Sequence, residues 1–189
     1  VVQPNINIKE KWTQRGLKKI ESEIENKLTQ NPIQNLPEPT VIFWPEVTQT
    51  SLVKKNEIDE FRNNILKENN MLGMVMGVLS ETKSEKINNS LIGFGNISGI
   101  YDKKFLVPFG EYVPFSGFFS IFFDFFNFNR PQILPGEKND LIENDLIKIS
   151  SVICYEIAYQ NAFLTNSKNT NLLFNASNDN WFGTGLGPH

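Results

Sequence analysis

A single thiol, two carboxylates and a pair of lysines are the residues of this chain whose types and spacing point to chemistry. Cys154 closes the apolar run Ile147 to Ile153 and is followed by Tyr155 and Glu156. A buried strand that delivers a nucleophile at its carboxyl end has this form. Val41-Ile42-Phe43-Trp44-Pro45-Glu46 is a second apolar run that ends on a carboxylate, and Tyr101-Asp102-Lys103-Lys104 leads into Leu106-Val107-Pro108-Phe109-Gly110-Glu111. Acyl transfer through a thiol needs a thiolate, a proton carrier and a donor for the oxyanion that develops on the carbonyl. Cys154 supplies the sulfur; a free thiol titrates near ~8.5, and a nearby cation lowers that value. Glu46 fits the proton carrier, because a carboxylate in a closed pocket is tuned upward in pKa. Lys103, with Lys104 as its rival, fits the cation. Each residue taken alone has a plainer reading: the cysteine as a small buried hydrophobe, the Glu and Lys as solvated strand-end charges.

The elements that must position these groups alternate along the chain. Val1 to Ile6 reads as a short strand. Leu17, Ile20, Ile24 and Leu28 recur at helical spacing, which predicts an amphipathic helix over roughly Lys9 to Thr29. Asn31-Pro32 and Pro37-Glu38-Pro39 punctuate its exit. Val41 to Trp44 is a buried strand, and Ile58, Phe61, Ile65 and Leu66 mark a second helix. Met71 to Leu79 reads as a strand, Glu81 to Asn89 as a polar loop or hairpin. Leu91 to Phe94 and Ile97 to Tyr101 form a strand pair around Gly95-Asn96. Ile147 to Ile153 and Asn171 to Asn175 are the last strands, with a helix between Glu156 and Ser167. Helices alternating with apolar strands predict a layered α/β domain. No repeat or linker divides residues 1–189, so one domain is expected.

Glu, Lys and Cys in this order, each at a strand end, resemble the catalytic set of the nitrilase superfamily. The wording LVPFGEYVP, ICYEI and NASNDNWFGTGLGPH narrows the resemblance to the carbon-nitrogen hydrolase domain of the apolipoprotein N-acyltransferase family. It runs from Val1-Val2-Gln3-Pro4-Asn5 to Gly187-Pro188-His189. The resemblance implies a four-layer αββα sandwich, here incomplete at its C-terminal end. It also implies a catalytic triad of Glu46, Lys103 and Cys154. The family's lysine follows Tyr-x and stands eight residues before the PFGE glutamate, which selects Lys103 over Lys104. Phe105 departs from the family's commoner His. Glu111 is placed beside the lysine; Tyr155 and Glu156 shape the pocket at the turn after the sulfur, although a Glu in the first turn of a helix also meets the helix dipole favourably. Trp12 and Trp181 are placed near the acyl site. The family carries a membrane domain before this one and more chain after it, so the resemblance implies a fragment of such a protein. It further implies a phospholipid acyl donor, a diacylglyceryl apolipoprotein acceptor, and a location at the bacterial inner membrane on the periplasmic side.

Composition is that of a globular domain, with 40% hydrophobic and 21% charged residues. A net charge of −3 gives no basic footprint for nucleic acid. One cysteine makes no internal disulfide, no Cys/His cluster suggests a metal, and no cofactor is implied. No run of about 18 apolar residues is present. Phe115 to Phe128 holds eight of the sixteen Phe, with Phe118, Phe119 and Phe122 on one helical face. It reads either as a core helix or as an arm that touches lipid beside the site. The readings that compete with acyl transfer to a lipoprotein are a soluble nitrilase-type amidase with water as acceptor, and an inactive product of a broken gene.

Overall fold

The structure is a computed structural model that describes residues 1, 11, 13–29, 40–58, 72–82, 86–108, 111–112, 133–137, 141–161 and 169–178. Within these, α1 spans Gln14–Thr29. Thr13 caps it, its Oγ1 accepting the Gly16 N–H at 3.1 Å and so satisfying one of the donors that a helix start leaves open. Ile20 is the fully buried residue of its inner face, while Lys18 and Lys19 remain in solvent.

The larger sheet contains β1 (Thr40–Phe43), β2 (Gln49–Lys54), β3 (Leu72–Glu81), β4 (Ile87–Gly95) and β5 (Ile100–Asp102). Its order is β1-β3-β4-β5, and β2 also lies on β3. β3 and β4 are antiparallel over their whole length, from Gly73 opposite Gly95 to Glu81 opposite Ile87. Of the two readings of 81–89, hairpin or loop, the hairpin holds: Glu81 ends β3, and Ile87 to Asn89 already belong to its antiparallel partner β4. Asn88, Asn89 and Ser90 are polar yet buried, and their side chains are used inside the protein. The smaller sheet holds β6 (Ile142–Glu143), antiparallel to β7 (Lys148–Ile153), and β8 (Leu172–Ala176), parallel to β7.

Side-chain alternation along β3 sorts the layers. Met74, Met76 and Val78 join Ile20 of α1, Ile42, Trp44, Ile92 and Phe94 in one cluster on the helix side. Val75 faces the other way and joins Leu91, Ile97 and Tyr101 against Ile142, Ile149, Ile153 and Ala176 of the smaller sheet. Phe43 and Phe174 meet across this interface with ring centroids 4.6 Å apart. The order is helix, sheet, sheet, which is the α/β nitrilase-like arrangement. The helix expected between Glu156 and Ser167 starts later: Cys154–Ala158 is a 3-10 turn, Gln160 and Asn161 are helical, and residues 162–168 lie outside the described residues. Trp12, Trp181, Phe118, Phe119 and Phe122 also lie outside them.

Candidate active site

Glu46 is carried by an interruption of a sheet edge. β1 and β2 lie end to end along β3, Phe43 opposite Val75 and Gln49 opposite Val78. The chain therefore takes six residues to advance where β3 takes three, and Trp44 to Thr48 bulge out. The bulge is pinned at its ends, by Trp44 N–H to Val75 O at 2.8 Å and Thr48 N–H to Gly77 O at 2.7 Å. The Thr48 hydroxyl donates to Pro45 O at 2.7 Å. Val47 is forced to φ 45°, a left-handed conformation that a β-branched residue rarely adopts. The bulge fits because Gly77 has no side chain. A Cβ there would lie 2.5 Å from Pro45 O and 2.8 Å from Glu46 Cα.

Lys103 leaves β5 one residue past its end. Its N–H donates to Asn89 O and its carbonyl accepts from Gly136 N–H, both at 2.8 Å. Asp102, on the other face of β5, pairs with Lys55 and accepts from Ser90 Oγ at 2.6 Å, which anchors the strand just before the lysine. Lys103 is 1% exposed. Its Nζ lies 2.9 Å from both carboxylate oxygens of Glu111 and 3.7 Å from Glu46 Oε1. Asn89 Nδ2 bridges the two carboxylates, at 2.8 Å from Glu46 Oε1 and 3.1 Å from Glu111 Oε1. Lys104 takes no such place; its N–H donates to Glu156.

Cys154 sits at the end of β7, half-buried, with φ 55°. Glu156 holds the turn that follows. It is fully buried, accepting from Lys104 N–H at 2.7 Å and Phe105 N–H at 2.9 Å on Oε1. Its Oε2 accepts from Ile153 N–H at 2.8 Å and the Tyr101 hydroxyl at 3.1 Å. The carboxylate thus ties the lysine segment to the cysteine strand. Glu156 does stand in the first turn of a helix, a 3-10 one, and bonds back to its N-cap N–H, but the carboxylate also serves donors from β5 and from the segment after it. Tyr155 is exposed and edges onto Tyr159, whose ring stacks on Phe105 at 5.0 Å.

Electrostatics follow from burial and these pairings. Burial pushes the Glu46 carboxyl up and Glu111 adds to it, against Lys103, Asn89 and Lys11. Burial opposes the Lys103 charge, but Glu46 and Glu111 outweigh it and push the ammonium above its usual value. Burial and then Glu46 raise the Cys154 thiol, against Lys103, Ser177 and the Tyr155 N–H. The resting site therefore holds a neutral thiol and a locked ammonium beside the Glu46 carboxyl. Among the described residues Glu46 Oε2 has no hydrogen-bond partner, leaving one buried oxygen open to a proton. No group of three His, Cys, Asp or Glu among the described residues is arranged to hold a metal.

The sequence pattern described as Carbon-nitrogen hydrolase matches residues 1–189. The chain belongs to the carbon-nitrogen hydrolase family. The chain is 33% identical over 171 residues to the apolipoprotein N-acyltransferase of Haemophilus influenzae, covering 82% of this chain and 32% of that protein. Against the apolipoprotein N-acyltransferase of Wigglesworthia glossinidia brevipalpis it is 34% identical over 165 residues, covering 78% and 31%. The chain spans about a third of the length of the curated relatives it matches. Its fold is similar to that of Saccharomyces cerevisiae Nit3, a nitrilase-superfamily member, with a TM-score of 0.54 at 16% identity over 85% of this chain and 57% of that one. A carbon-nitrogen hydrolase from Helicobacter pylori gives a TM-score of 0.54 at 18% identity, covering 85% and 54%.

Glu46, Lys103 and Glu111 thus share one buried cluster, with Cys154 electrostatically coupled to Glu46 and Lys103. Asn89, Ser177 and Lys11 also belong to this carbon-nitrogen hydrolase site, and sequence reasoning did not single them out. The signal for Asn89 was three polar residues entering an apolar strand. Ser177 directly follows β8.

Proposed function

We propose that this chain is the catalytic domain of an apolipoprotein N-acyltransferase working through a Cys154 thioester. The observation that carries the reading is the buried Glu46–Lys103–Glu111 cluster coupled to a strained strand-end thiol. Cys154 Sγ attacks the ester carbonyl of a phospholipid acyl chain as Glu46 takes the thiol proton. The Lys103 ammonium, held by Glu46 and Glu111, donates to the oxyanion. The ester C–O bond breaks, Glu46 returns the proton to the leaving alkoxide, and a lysophospholipid departs. In the second half the amino group of a diacylglyceryl-cysteine attacks the thioester. Glu46 takes its proton, the C–S bond breaks, and the proton goes to sulfur. A neutral resting thiol suits this scheme, since deprotonation is coupled to attack and no free thiolate is exposed to water.

The exposed rings of Phe105, Tyr155 and Tyr159 beside the cysteine support an apolar acyl substrate. Phe118, Phe119 and Phe122 are proposed as further lipid contacts, and the substrates place the domain at the periplasmic side of the inner membrane. No helix among the described residues is long and apolar enough to cross a membrane. The test is transfer from bilayer phospholipid with a labelled acyl chain. Label should collect on Cys154, vanish in Cys154→Ala, and pass to a diacylglyceryl-cysteine peptide faster than to water. Release mainly to water, with the peptide left unmodified, would favour the amidase reading.

A further inference from the structure

Lys11 is a second buried cation at this site. It is 6% exposed, and its Nζ donates to the main-chain carbonyl of Glu46 at 3.3 Å. That carbonyl and the Glu46 carboxylate belong to one residue, so the ammonium sits within a side chain's length of the carboxylate. A buried lysine is retained at a site only where its charge is compensated. Here the compensating group is Glu46, on the bulge between β1 and β2.

We infer that Lys11 is a positioning residue for Glu46: it fixes the bulge through the main-chain carbonyl and, through its charge, keeps the carboxylate ionised and ready to take a proton. The inference rests on the proposed role of Glu46 as proton acceptor. The other groups that face Glu46 are Lys103 after β5, Asn89 on β4, Glu111, and Cys154 at the end of β7. Lys103 and Asn89 are the stronger supports of the Glu46 charge, and Lys11 adds a further favourable one from the side of the bulge. Lys103 is shared between two carboxylates and lies closer to Glu111, at 2.9 Å against 3.7 Å. Glu111 itself opposes ionisation of Glu46. Without Lys11, one ammonium would have to serve both the buried Glu46 and the partly exposed Glu111, and the more distant of them, Glu46, would take up a proton at a higher pH. Burial also lowers Lys11 to about 8, with Glu46 holding it up, so the ammonium persists at neutral pH.

The experiment is a titration of the glutamate side-chain carboxyls by carbon-13 NMR, with Glu46 assigned from the spectrum of Glu46→Gln. Lys11→Met should raise the Glu46 midpoint by roughly half a pH unit, below the shift for an opposite charge in direct contact, because Lys11 meets the main chain of Glu46. Lys11→Arg should restore it, because the charge is kept. A role in packing alone would move the melting temperature and leave the midpoint where it is; that outcome overturns the inference. Linkage supplies a second arm that needs no Lys11 variant. Glu46→Gln should lower the Lys11 midpoint, and an unchanged midpoint also overturns the inference. Acylation of Cys154 by a small soluble ester separates this inference from the proposed function. If Lys11→Met shifts the Glu46 midpoint and the acid limb of acylation does not follow, the Lys11–Glu46 coupling stands and the role of Glu46 as acceptor falls.

Discussion

Glu46 and Cys154 are both set on strained turns at strand ends, but the two turns are held in opposite ways. The Glu46 bulge is gripped from the side by the main chain of β3, and its fit depends on the missing side chain of Gly77. The Cys154 turn is held from behind by one side chain, Glu156, whose four accepted hydrogen bonds come from three parts of the chain. The surroundings differ too. Glu46 is 6% exposed among charged and amide groups, while Tyr155, next to the sulfur, is 56% exposed among aromatic rings. The site is thus a closed polar side facing an open apolar rim. A proton acceptor gains from burial, which lifts its pKa toward working pH. A nucleophile that must meet a large substrate needs an approach.

The contrast can be broken from either side. Glu156→Ala should have the largest effect. It leaves three N–H groups and the buried Tyr101 hydroxyl without their acceptor, and each donor left unsatisfied inside the protein costs about 1–3 kcal/mol. Chemical denaturation should register that loss, and Cys154 acylation should fall below detection because the lysine segment is untied from the cysteine strand. Gly77→Ala comes next. Its Cβ must displace backbone, so Glu46 moves while Cys154 stays. Acylation should drop roughly 100-fold, the scale of a displacement of about 1 Å, with reactivity of Cys154 toward a small alkylating agent much less affected. Equal losses in both assays would show that the two turns are one unit. Phe105→Ser tests the open rim and should do least. Its ring is 36% exposed, so stability should change little. Acylation by a long-chain ester should fall about threefold relative to a short-chain ester.

The parts of the site legible in the sequence were those on regular strands. Cys154 follows six strand residues, and Lys103 follows the short β5, so apolar patterning pointed to both. Glu46 was legible as a carboxylate past an apolar run, but the bulge was not, because its cause lies on another strand at Gly77. Asn88 and Asn89 were read only as part of a polar loop or hairpin for a physical reason: polarity in a strand normally marks solvent, and here, with Ser90, it marks a network that includes Asp102, Glu46 and Glu111. The helix read between Glu156 and Ser167 was started too early: its first residues belong to the 3-10 turn Cys154–Ala158, whose sequence, CYEIA, carries no breaker, and α-helix begins at Gln160. What sets the turn is the Glu156 carboxylate folding back onto Ile153 N–H. Lys11 was passed over, since nothing local marks a lysine whose partner is 35 residues away.

The central claim is that Glu46 takes the proton from Cys154, and the pH dependence of Cys154 thioester formation tests it most directly. Only ionised Glu46 accepts a proton, and burial holds its pKa above the ordinary glutamate value of 4.5. In the wild-type protein the rate of acylation by a soluble ester should therefore rise with pH along a limb centred above 4.5. Glu46→Gln should lose that limb and run about 100-fold slower or worse at neutral pH, the usual contribution of a general base. A Glu46→Gln protein that acylates Cys154 at the wild-type rate, with the same acid limb, would contradict the account.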